Sequence, residues 1–152
     1  MSGMLSLCAT PIGNLEDITL RVIRAFQEAD CVYAEDTRRT RELLTHLNIK
    51  KPVLSCHAHN EAQRAAEIVE RVRRGERVAY ASDAGLPGIS DPGALLLRTA
   101  RAEKLPYEVL PGASALPMAA VLSGLCDSPF LFLGFLPRKK GERRDLLLPL
   151  AR

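Results

Sequence analysis

What this sequence of 152 residues lacks narrows its chemistry first. It has no Trp, three Tyr and four Phe, which leaves few rings for stacking against a flat ligand. Its four cysteines, at positions 8, 31, 56 and 126, form no CxxC pair. Three lie in or beside apolar runs, so buried, reduced thiols are expected rather than disulfides or a thiolate metal centre. No apolar run approaches the length of a membrane span, and the N-terminus has no charged segment followed by a long apolar stretch. A cytoplasmic protein that does not engage membranes is the expectation.

Two nucleotide fingerprints are also missing. The loop at residues 10–19 has one glycine, Gly13, where a dinucleotide-binding turn needs three, although Glu35 falls at about the right distance for a ribose-binding acid. The phosphate-cradling GxxxxGK[ST] string is absent, which disfavours ATP as well as NAD. Charge of either sign is scarce in net terms. The total is +3, and residues 138–152 hold six basic residues against two acids, so the rest of the chain is close to neutral. A basic tail of this kind suits phosphate-bearing partners or a solvated surface.

What is present is a globular core, 47% hydrophobic, whose apolar pattern alternates between two periods. Short runs at 5–9, 31–34, 53–56, 78–81 and 107–110 have strand length and composition. The segments between them repeat at helical spacing. Ala62, Ala65, Ala66, Val69 and Val72 define one helix face, with Asn60 and Gln63 as a capping pair and Gly75 as its stop. Leu20, Ile23 and Phe26 mark another helix, and Leu43, Leu44 and Leu47 a third that ends near Asn48. Residues 95–102 and 114–122 complete the set. Repeated βα units of this kind predict an α/β fold: an open, mostly parallel sheet of about five strands flanked by helices. SPFLFLGFLP (128–137) reads as a sixth strand, and the segment after it begins an amphipathic helix. The division expected is a domain over 1–127 and, over 128–152, a linker strand leading into a second, truncated domain.

Ligands in such sheets bind beyond the carboxyl ends of the strands. The distinctive loops all fall there: TPIGNLEDIT (10–19), EDTRRT (35–40), HAHNE (57–61), SDAGLPGISDPG (82–93) and PGASA (111–115). The fourth is the densest, with glycines that admit close backbone approach and prolines that stiffen it. Asp91 and Pro92 read as the N-cap and first residue of the following helix. His57 and His59 beside Cys56 suggest metal ligation superficially, but a further ligand at suitable spacing is missing, so no metal is expected.

In this order, PIGNLEDIT, AEDTR, SDAGLPGISDPG and LPGASA resemble the tetrapyrrole methylase superfamily of S-adenosylmethionine-dependent methyltransferases. Within it they are most similar to the branch of 16S ribosomal RNA cytidine 2′-O-methyltransferases. The resemblance runs from about residue 5 to residue 144. Leu86 stands where that branch usually has Thr, and Ala113 where it commonly has Pro.

The resemblance implies an N-terminal α/β domain of a two-domain enzyme with S-adenosylmethionine in the cleft. Donor contacts would come from Pro11, Ile12, Ala84, Gly85, Leu86, Ile89, Ser114 and Ala115. The activity implied is 2′-O-methylation of a ribose in small-subunit ribosomal RNA, by a homodimer. A ribose hydroxyl is a poor nucleophile whose proton must be removed with assistance, and Asp36 and Glu35 are the candidate acids. An ED-TR cluster is equally an ordinary helix N-terminus. Arg38, Arg39, His57 and His59 are the candidate RNA contacts, with Arg41 and the basic tail as further phosphate ligands. Two alternatives stay open: a methylase of a tetrapyrrole or other small substrate, and a non-catalytic donor-binding or dimerising fragment.

Overall fold

The computed structural model describes residues 3–89, 93–125 and 129–151. Five strands form one parallel sheet: β1 (Met4–Cys8), β2 (Cys31–Ala34), β3 (Val53–Ser55), β4 (Arg77–Ala81) and β5 (Tyr107–Leu110), in the order β3-β2-β4-β1-β5. Between them run α1 (Leu20–Glu28), α2 (Thr37–His46), α3 (Glu61–Arg73) and α4 (Ala94–Ala102). α5 (Ala115–Ser123) and α6 (Lys140–Leu147) follow. The expected α/β class is observed, and so are the five strands read between residues 5 and 110.

Period-two alternation sorts the sheet's side chains into two cores. Leu5, Leu7, Tyr33, Val78 and Tyr80 face α3 and α4, while Cys8, Val32, Ala79 and Ala81 face α1 and α2. The helices that lead from β1 to β2 and on to β3 therefore cover one face, and those that return through β4 to β5 cover the other. β1 and β4 are neighbours whose chains leave toward opposite faces, which opens a crevice at their carboxyl ends. Burial of Phe26, fully enclosed under α1, contributes about 1.5–3 kcal/mol.

Several local expectations are corrected. Leu20 is 80% exposed, and the buried stripe of α1 is Val22, Ala25 and Phe26. α3 buries Ala65, Ile68, Val69 and Val72, an i, i+3, i+4, i+7 stripe, leaving Ala62 and Ala66 in solvent. Asn60 makes no side-chain cap; its amide turns back to accept from the His57 N–H at 2.8 Å. Gly75 does end α3, at φ +93°, and Asn48 follows α2 at φ +56°. No strand forms over 129–137: proline stands at both ends, Gly134 adopts φ +68°, and β5 keeps an open edge with Tyr107 and Val109 exposed. α5 and α6 bury no side chain. Asp91 and Pro92, read as a helix cap, lie outside the described residues, as does Cys126. No helix among the described residues is long and apolar enough to cross a membrane.

Candidate functional site

The loops after β1, β4 and β5 converge on Gly85. Thr10 and Gly85 exchange both backbone hydrogen bonds at 2.9 Å, forming an isolated antiparallel bridge just past the sheet. The buried Thr10 hydroxyl donates to the Ser82 carbonyl at 3.1 Å, and the buried Ser82 hydroxyl donates to the Gly85 carbonyl at 3.1 Å. These bonds satisfy loop polar groups that would otherwise be costly to bury. Gly85 has φ +81°, and a Cβ there would lie 3.4 Å from the Ile12 side chain and 3.6 Å from the Ala113 carbonyl. Gly112 carries the third loop in: a Cβ on it would stand 2.7 Å from that of Ala9. Glycine is required at both places, at one for conformation and at the other for approach.

Beside this junction lies an open, mostly apolar groove of about 820 Å³. Ile12, Ala84, Gly85, Leu86, Ile89, Ser114 and Ala115 line it, so seven positions read from the sequence are brought together. Leu116, Ala119 and Ala120 of α5 form one flank, and Phe130, Leu131, Phe132 and Phe135 form another. Those aromatics are contributed by the stretch expected to be a strand. Pro11 does not join the groove; it lines a neighbouring cavity of about 200 Å³ with Thr10, Arg39, Thr40 and Asp83.

The other strand ends carry charge. Asp36 caps α2, accepting from the Arg38 N–H at 2.9 Å, and its carboxylate meets the Arg38 guanidinium at 2.7 Å. Those bonds to Arg38 hold the Asp36 carboxyl down at about 2. Asp83, from the loop after β4, accepts from the Asp36 N–H at 2.8 Å and faces Arg39 at 4.0 Å. The loop after β4 and the acid pair are thus joined by one side chain. Glu35 precedes this cap and is half-buried. The His57 and His59 rings meet edge to face at 5.8 Å on the next strand end. Among the described residues, no group of three or more His, Cys, Asp or Glu could hold a metal ion. Cys8, Cys31 and Cys56 are free and buried, and burial pushes the Cys56 thiol up to about 12.

Glu61 completes the frame from the first turn of α3. One of its oxygens accepts from the Gly93, Leu95 and Leu96 N–H groups at 2.9, 3.1 and 3.2 Å, capping α4 from another helix. Sequence reading missed both Glu61 and Asp83. Only the acid types at the strand ends hinted at them, since their partners lie 32 and 47 residues away.

The family profile of the Tetrapyrrole (Corrin/Porphyrin) Methylases matches residues 4–151. The chain belongs to the tetrapyrrole methylase family. Among curated relatives, the protein called Ribosomal RNA small subunit methyltransferase I of Coprothermobacter proteolyticus is 49% identical over 97% of this chain and 68% of its own. Its namesake in Thermotoga maritima is 48% identical over 95% of this chain and 65% of its own, and that in Xylella fastidiosa 49% over 98% and 55%. The chain spans about half to two thirds of the length of such relatives. Of solved structures, a diphthine synthase superposes with a TM-score of 0.65 at 20% identity, covering 80% of this chain and 49% of that one. The uroporphyrin-III-C-methyltransferase of Thermus thermophilus superposes at 0.62 and 24% identity, covering 90% and 58%. At those identities the likeness is one of fold.

Proposed function

We propose that the chain is the donor-binding part of an S-adenosylmethionine-dependent ribose 2′-O-methyltransferase acting on RNA of the small ribosomal subunit. The observation that carries this reading is the groove at Gly85. It gathers the motif residues of three loops into one apolar, backbone-lined space in a chain whose curated relatives near 49% identity are named as ribosomal RNA methyltransferases.

The groove suits this donor on physical grounds. Adenine and ribose can be held by apolar contacts and backbone groups, and the space that a Cβ would fill at Gly85 brings the main chain within reach. Ile12, Ala84, Leu86, Ile89, Ser114 and Ala115 would hold it, with Pro11 stiffening the loop from behind. When bound, S-adenosylmethionine supplies a methyl group already activated by its sulfonium. The protein's part is to orient the acceptor and exclude water, a positioning effect that can contribute roughly 7–11 kcal/mol.

On this reading, Glu35 and Asp36 handle the proton of the ribose hydroxyl. Asp36, held at about 2 by Arg38, binds protons weakly, so its role is to orient, and Glu35 is the acceptor. Arg38, Arg39, His57 and His59 lie on the RNA side. Residues 1–127 form the donor domain and 128–152 lead into a second unit. The working form is a cytoplasmic homodimer.

Methyl transfer from labelled S-adenosylmethionine to isolated small ribosomal subunits, by the full-length enzyme of which this chain is proposed to be a part, tests the proposal. Label in alkali-resistant dinucleotides, the mark of a methylated 2′-oxygen, is the expected result. Transfer only to a porphyrin-like acceptor would overturn the RNA reading. Donor binding without transfer to either would reduce the chain to a binding module.

A further inference from the structure

We propose that the outer edge of the sheet, where α2 meets β3, is a docking surface for the RNA phosphate backbone, separate from the donor groove. The inference rests on the RNA reading above and adds a location and a residue set to it. Its basis is which cations are already neutralised. Arg38 is paired with Asp36 and Arg39 with Asp83. Arg71 pairs with Glu76, Arg73 with Glu103 and Arg77 with Glu28. Two of the three α2 arginines read as RNA ligands, Arg38 and Arg39, are therefore held by acids.

Arg41, Lys50 and Lys51 differ. None of the three forms an ion pair among the described residues. Arg41 is held by neutral acceptors, the Thr37 hydroxyl at 3.2 Å and the Val53 carbonyl at 3.4 Å. Together with Thr45 and Pro52, the three cations line an open concavity of about 430 Å³. The frame beneath is fixed. Ile49 is buried and its N–H donates to the Leu44 carbonyl at 2.8 Å, and the Pro52 carbonyl accepts from the Val32 N–H at 2.9 Å. Such preorganised, uncompensated positive charge suits phosphates, whose neutralisation releases counterions whatever the base sequence. β3 and β5 are the two edge strands, and residues 49–52 lead into β3, so this surface lies across the sheet from β5 and toward the amino ends of the strands, apart from the groove beyond their carboxyl ends.

Lysines and proline leading into an edge strand also guard against strand-to-strand association. That role requires the charges but predicts no effect on RNA. The test is binding of a fluorescent single-stranded RNA of about 20 nucleotides across a salt series by the wild-type chain and the R41Q/K50Q/K51Q variant. An R98Q/R101Q/K104Q variant removes equal charge from exposed positions on and just after α4. The expected result is an affinity loss of about 10- to 100-fold in the α2–β3 variant, with the slope of log K against log salt reduced by about 2. The α4 variant should stay near wild type, and S-adenosylmethionine affinity by calorimetry should be the same in all three. If Arg41 proves necessary for folding, K50Q/K51Q alone should lower the slope by about 1.4. Unchanged RNA affinity and slope, or a variant that merely self-associates on gel filtration, overturns the docking surface and leaves the RNA reading standing. Equal losses in both charge variants overturn it too, because net charge then explains the binding. No salt-dependent RNA binding by wild type would count against the RNA reading itself.

Discussion

The two halves of the strand-end surface are built from different chemistry. Around β1, β4 and β5 the lining is neutral: Ile12, Ala84, Gly85, Leu86 and Ala115, with the Thr10 and Ser82 hydroxyls consumed in holding the loops. Around β2 and β3 it is charged and paired, with Asp36 on Arg38 and Asp83 against Arg39. A neutral groove selects its ligand by shape, whereas a charged rim orients and attracts. Asp83 is the seam, because it belongs to the neutral half's loop and serves the charged half's helix. The division matches the proposed labour of the protein, donor on one side and acceptor on the other.

The sharpest way to break this comparison is at Gly85. Gly85→Val forces a branched side chain into φ +81° and against Ile12, so donor affinity should fall about 30- to 100-fold, roughly 2–3 kcal/mol, by calorimetry. Gly141→Val, in open space on α6, should leave it unchanged. Next comes the seam. Asp83→Ala leaves the Asp36 N–H without its acceptor and should cost about 1–2 kcal/mol in urea unfolding, while donor affinity stays within about twofold of wild type. A large loss of donor affinity would show that the halves are not separable. Glu61→Gln retains an acceptor for α4 but loses its charge, and about 0.5–1 kcal/mol of stability should go with it.

The smallest effect is expected at Asp36. Its folded carboxyl titrates at about 2, below the roughly 3.9 of an unfolded Asp. It therefore favours the folded state above pH about 4, and that contribution fades as pH falls through about 2. Asp36→Asn keeps a capping oxygen and removes the charge. The stability gap to wild type should be present at neutral pH and shrink steadily as pH falls from about 4 through about 2, as read by denaturation across pH.

The sheet was legible because its strands are short apolar runs bounded by turn residues, a local signal that burial on both faces demands. The groove at Gly85 was legible for a related reason. Glycines and prolines in the loops after β1, β4 and β5 report backbone shape, and backbone shape is what builds that groove. Failures came where tertiary partners decide. Ala62 and Ala66 fit a helical stripe as well as Ile68 does, but α3 turns the larger Ile68 into the core. The run from Phe130 to Phe135 has strand composition, yet it lies against the groove and pairs with no edge. Asp83 and Glu61 act on amides far along the chain, and no periodicity announces such bonds. Arg38 and Arg39 are candidate RNA contacts in the sequence; Asp36, two residues away, pairs with Arg38, and the fold brings Asp83 to Arg39.

The central claim is that the neutral groove at Gly85 is where the methyl donor binds. Backbone amide NMR of the chain titrated with S-adenosylmethionine tests it most directly. Saturable shifts are expected at Ile12, Ala84, Gly85, Leu86, Ser114 and Ala115, with Arg41, Lys50 and Lys51 unmoved. Shifts centred on the α2–β3 edge, or a titration in which the Gly85 and Ile12 amides do not respond while others saturate, would contradict it.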